Sequence, residues 1–105
     1  MIPLVEKASV NHLNKLPAWS EPTARQLAAE DNLELTEAHM EILRVARQFY
    51  ADFGFSPSMR PLTRYVSDHL DLSKGRSIYL MQLFPESPAK SVARLAGLPK
   101  PKNCL

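Results

Sequence analysis

The feature that most limits the fold is a stripe of apolar residues between Thr36 and Gly54. Ile42, Val45, Ala46, Phe49 and Phe53 recur with a period near 3.6, and Leu43 and Tyr50 widen the stripe. Thr36 supplies an N-cap, Glu37 an acidic first turn, and Gly54 a stop. A face that wide belongs to a helix packed among other helices, so the chain is expected to be mainly α. At 105 residues, with 45% apolar against 23% charged residues, it suits one compact core and is too apolar for wholesale disorder.

The other elements are read from their caps. Ser20-Glu21-Pro22 opens a helix that runs to about Asp31. Ser58 opens another, with Pro61 still in its first turn and Leu62, Tyr65, Val66 and Leu70 as its buried side. Lys74-Gly75 is a turn, and Ser77–Phe84 a short helix. Pro88 starts a last helix through Ala96, with Val92 and Leu95 inward, and Gly97 stops it in a left-handed conformation. Residues 1–18 are expected to form a small hairpin, with Ile2–Val5 and Val10–Leu16 as its two limbs and Glu6–Ser9 between them. Trp19 reads as a core anchor and His39 as a local hydrogen-bonding or packing residue. Tyr79 and Phe84 read as packing, and Met40, Met59 and Met81 as gap fillers.

Several functions are excluded at this level. No stretch approaches the roughly 20 apolar residues of a membrane span, and no secretory leader pattern opens the chain. The protein is therefore expected in the cytoplasm, with no membrane partner. One cysteine cannot make an internal disulfide, and three histidines far apart in sequence do not make a structural zinc site. Neither metal nor cofactor is expected. Charge is uneven: residues 1–55 carry five basic and eight acidic side chains, residues 56–105 eight and three. The basic half suits an anionic partner such as RNA or an acidic protein surface, although eight cations over that length also make an ordinary solvated face.

The remaining segment is of another kind. Leu98–Leu105 carries Pro99 and Pro101, which cannot extend a helix and hold their predecessors extended. The expectation is a domain over 1–97 and a mobile arm over 98–105, reaching roughly 22 Å from Gly97 to Cys104 at about 3.1 Å per residue. Its removal is expected to leave folding nearly unchanged. A free cysteine in a small domain is ordinarily buried and inert. On such an arm Cys104 can instead be presented inside another protein's cleft, the geometry that sulfur exchange between proteins needs. Lys100 and Lys102 favour its thiolate, and the terminal carboxylate opposes them.

The ending Ala96-Gly97-Leu98-Pro99-Lys100-Pro101, followed by Cys104 and one apolar residue, resembles the DsrC/TusE family of sulfur carriers. The resemblance extends to Trp19-Ser20-Glu21, Leu35-Thr36-Glu37-Ala38-His39, Arg44 with Phe49-Tyr50, and Ser56-Pro57-Ser58-Met59-Arg60. It continues in Tyr79-Leu80, Leu83-Phe84-Pro85 and Pro88-Ala89-Lys90. It implies a small helical domain with an N-terminal hairpin, a helix-turn-helix-like core and a flexible C-terminal arm. Members that partner dissimilatory sulfite reductase carry a second cysteine eleven residues before the first, where this chain has Ala93. The chain therefore looks like the single-cysteine TusE branch.

That branch implies a sulfurtransferase that takes persulfide sulfur from a TusBCD-like complex. It passes the sulfur to an MnmA-like thiouridylase with bound tRNA, for 2-thiolation of the wobble uridine. Cys104 would be the catalytic nucleophile, holding the sulfur covalently without a cofactor. Arg60, Arg64, Lys90, Arg94, Lys100 and Lys102 are candidates for partner docking, with a solvated face as the equal reading for Arg60 and Arg64. Two alternatives stand: a DsrC-like partner of dissimilatory sulfur metabolism without the second cysteine, and a helix-turn-helix-like regulator that binds nucleic acid.

Overall fold

The computed structural model describes residues 11–102. A single 3-10 turn, His12–Lys15, precedes five α-helices: α1 (Glu21–Glu30), α2 (Glu37–Phe53), α3 (Met59–His69), α4 (Ser77–Leu83) and α5 (Pro88–Leu95). Among the described residues there is no strand, and no helix is long and apolar enough to cross a membrane.

The hairpin expectation is corrected where it can be seen. Its second limb contains the 3-10 turn, and its first limb lies outside the described residues. Asn11 explains the difference. Its φ is −132°, not left-handed, and its side-chain Oδ1 accepts the Leu13 N–H at 2.9 Å. A residue expected to turn a hairpin instead caps a helical turn.

α2 is central because its stripe is met by other helices. Met40, Ile42, Leu43 and Ala46 are fully buried. α1 contributes Ala24 and Ala28, α3 Leu62 and Val66, α4 Leu80, and α5 Val92 and Leu95. Two alanines as the buried contribution of α1 leave room for close packing. α2 begins with a reciprocal cap. The Thr36 N–H donates to His39 Nδ1 at 3.0 Å, which leaves the ring hydrogen on Nε2 to donate to the Leu83 carbonyl at 2.8 Å. His39 is buried, edge-on to Phe84, and ties the start of α2 to the end of α4. Outside the core, Arg44 bridges Glu21 of α1 and Glu37 of α2. These exposed pairs contribute little each, and their carboxylates position the helix starts more than they stabilise them.

Extending periodicity to the helix ends overestimates the core. Phe53 and Leu70, placed on the buried sides of their helices by spacing, are 51% and 36% exposed. Each lies at the last turn or the cap, where no helix faces it. Met81 is likewise exposed, whereas Met40 is buried as expected.

Candidate functional site

The site is built where α5 ends. Gly97 has φ +72°, its N–H donates to the Arg94 carbonyl at 3.3 Å, and the Leu98 N–H reaches back to the Ala93 carbonyl at 2.8 Å. This is a Schellman closure: the left-handed residue reverses the chain and returns the next side chain onto the helix. Leu98 is accordingly buried as part of the core cluster. Glycine is required twice over at position 97. A Cβ there would lie 2.7 Å from Trp19 Cδ1, in addition to the left-handed backbone.

Two long-range clamps hold this closure. Trp19 Nε1 donates to the Leu95 carbonyl at 2.8 Å, and Arg47 Nη1 to the Ala96 carbonyl at 2.6 Å. The Arg47 guanidinium lies 4.4 Å from the centre of the Trp19 ring, a cation–π contact. Burial lowers the Arg47 pKa from its ordinary value. The last carbonyls of α5 thus find donors from α2 and from the segment before α1, satisfying groups that a helix end leaves open.

Beyond Leu98 the chain is extended and still anchored. The Ser56 hydroxyl donates to the Pro99 carbonyl, and Pro101 is buried, while Pro99, Lys100 and Lys102 face out. Leu98 and Pro101 are three residues apart, the repeat of a polyproline-like strand. The expected arm therefore needs correcting over its described half: residues 98–102 lie against the domain. At full extension, about 3.6 Å per residue, Cys104 stands at most roughly 11 Å from Pro101, half the reach of an arm free from Gly97. Cys104 itself lies outside the described residues.

Between residues 99–102 and the turn joining α2 to α3 lies a cavity of about 500 Å³, lined by Tyr50, Phe55, Ser58, Lys100 and Lys102 among others. Gly54 closes α2 beneath it with φ +80°, and a Cβ there would lie 2.9 Å from the His12 ring. Above this turn is an aromatic group. Phe49 packs against Phe53, Phe55 and Tyr65 at centroid distances of 4.7, 5.3 and 5.0 Å. The Tyr65 hydroxyl donates to Asp52, and burial together with that carboxylate pushes its pKa up to about 12.

The basic candidates fall into separate places. Arg60 and Arg64 sit exposed on α3, beside Thr63, Ser67 and Gly75. Lys90, Arg94 and Lys100 line a groove between α5 and the 98–100 segment. Arg94 is engaged there by Asp31 and Glu30, both at 3.0 Å, which raise its pKa and join α5 to the end of α1. Lys100 and Lys102 form no ion pair among the described residues, and both line the cavity beside Phe55. Sequence reading missed Arg47 and the roles of Ser56 and Pro101. An apolar residue directly after a C-terminal glycine was the local signal for the Schellman closure; no local signal marks Arg47 or Ser56.

A match to the family described as DsrC like protein covers residues 4–105, a span that takes in Cys104. The chain belongs to the DsrC-like family. Within it, the chain is 43% identical over 101 residues to the "Sulfurtransferase TusE homolog" of Haemophilus influenzae, covering 96% of this chain and 93% of that one. It is 40% identical to the "Sulfurtransferase TusE" of Buchnera aphidicola subsp. Schizaphis graminum, covering 96% and 89%. The NMR structure of Allochromatium vinosum DsrC aligns with a TM-score of 0.75 and 44% identity, covering 84% of this chain and 79% of that one. The oxidized gamma-subunit of the dissimilatory sulfite reductase (DsrC) from Archaeoglobus fulgidus aligns at 0.69 and 35%, covering 83% and 80%. In this member of the DsrC-like family position 93 is an alanine, buried in α5 beneath the Schellman closure.

Proposed function

We propose that this chain is a sulfurtransferase of the TusE kind, a carrier that holds one sulfur atom as a persulfide on Cys104. The reading is carried by one observation: the only cysteine of the chain stands three residues past an anchored, extended strut, inside a family match that spans it. The Cys104 thiolate attacks the outer sulfur of a donor persulfide. A new S–S bond forms on Cys104, the donor's S–S bond breaks, and the donor leaves as a thiolate. An acceptor thiolate then attacks the outer sulfur on Cys104 and restores the starting thiolate. Neither step has net oxidation, and neither needs a metal or cofactor.

The donor in this reading is a TusBCD-like complex and the acceptor an MnmA-like thiouridylase with bound tRNA, the product being 2-thiouridine at the wobble position. Ala93 favours it over a dissimilatory role, since no second thiol is present to close a disulfide with Cys104. The test is wobble-uridine thiolation in tRNA from a strain lacking the gene. Wild-type protein is expected to restore it and Cys104→Ser to fail. Full restoration by Cys104→Ser overturns the reading.

A further inference from the structure

Most exposed apolar side chains in this protein are scattered, but two are not. Phe53 and Phe55 are 51% and 53% exposed, their ring centres lie 6.3 Å apart, and both stack on the buried Phe49. Phe55 also lines the cavity that Lys100 and Lys102 line, so the aromatic patch is continuous with the strut that leads to Cys104. Asp52, the nearby carboxylate on α2, is occupied by the Tyr65 hydroxyl and the Gln48 amide. The outward charge beside the patch is therefore that of the two lysines.

We infer that Phe53 and Phe55, rimmed by Lys100 and Lys102, are the docking surface for the protein that exchanges sulfur with Cys104. The partner presents apolar side chains flanked by acidic groups. This inference rests on the persulfide-carrier reading. Its force comes from the short tether. A standard interface of about 800 Å² on each partner is a disc of roughly 16 Å radius. Centred on a thiol held within roughly 11 Å of Pro101, such a disc cannot avoid the wall that Lys102 shares with Phe55. An exposed aromatic pair is also the residue type on which interface energy concentrates, with charges at the rim steering the approach.

The test uses the full chain with two sulfur sources: the persulfide-loaded donor complex of the proposed relay, and sodium polysulfide, which needs no docking surface. Phe53→Ser/Phe55→Ser is expected to slow transfer from the donor complex at least about tenfold while loading from polysulfide stays within about twofold. Lys100→Glu/Lys102→Glu does not touch the core. It is expected to slow protein-to-protein transfer most at low salt, again after normalisation to polysulfide loading. Leu72→Ser/Ile78→Ser, which changes two side chains 77% and 64% exposed elsewhere, is expected to transfer at the wild-type rate. The inference is overturned if both the aromatic and the lysine variants accept sulfur from the donor complex at the wild-type rate, or if the Leu72/Ile78 variant loses as much. Failure of the wild-type Cys104 to gain a sulfur from either source strikes at the carrier reading instead.

Discussion

Two connections leave helices in this protein, and they treat their apolar residues in opposite ways. After α3, Leu70 and Leu72 stand in solvent, the second 77% exposed. After α5, Leu98 is 7% exposed and belongs to the core. The cap conformation separates them. Leu70 continues in a right-handed conformation with φ −117° and ψ −75°, and the chain drifts outward to a turn held by Asp71, Ser73 and the Lys74–Glu41 pair. Gly97 is left-handed and folds the chain back. One backbone dihedral thus decides whether the segment after a helix becomes a solvated loop or an anchored strut, and only the second leads to Cys104.

The comparison breaks most severely at Gly97. Gly97→Val forces a β-branched residue into the left-handed region and against Trp19, with an expected loss of about 3 kcal/mol or more of unfolding free energy in denaturant titration. A melt unchanged from wild type would show that the closure is not what anchors the segment. Leu98→Ala is next, at about 2–3 kcal/mol, while Leu72→Ala is expected to stay within about 0.5 kcal/mol. Equal effects of the two would erase the distinction. In the same sense, a chain ending at Gly97 is expected to melt well below one ending at Lys102.

Ser56→Ala sharpens the contrast further along the strut. Loss of the bond to the Pro99 carbonyl is expected to remove about 1 kcal/mol, and to speed proteolysis after Lys100 more than cleavage within the Asp71–Arg76 turn. The smallest effect concerns the aromatic turn. Tyr65 is raised from 10.0 to about 12, so the fold favours its protonated phenol. That contribution is intact below pH 10 and is lost as the pH rises through about 12. An absorbance titration of the three tyrosines is expected to show one late ionisation that disappears in Tyr65→Phe. A common midpoint for all three would contradict it.

What was legible in the sequence was local. Ser20 with Pro22, Thr36, Gly54, Ser58, Pro88 and Gly97 act within a few residues of themselves, and the helices begin and end within a residue or so of the expected places. The apolar period identified the central helix for the same reason. Periodicity fails where it is silent about neighbours, as at Phe53 and Leu70. The anchoring of the strut joins residues far apart in the chain, Arg47 to Ala96 and Ser56 to Pro99, and neither pair carries a spacing rule. The resemblance included Ser56-Pro57-Ser58 without assigning it work; the structure shows Ser56 holding the strut and Pro57 buried. For the candidate site, the chemistry was legible in one cysteine and its surrounding prolines, but its reach was not.

The buried proline at position 101 turns the stretch before the sulfur into a depth gauge. Inserting or deleting one residue between Pro101 and Cys104 changes the maximum span by about 3.6 Å, well over the ~2 Å length of the S–S bond that has to form. Measured from that fixed zero, the number of residues is a length standard, and a partner's cleft is cut to match it or goes unread.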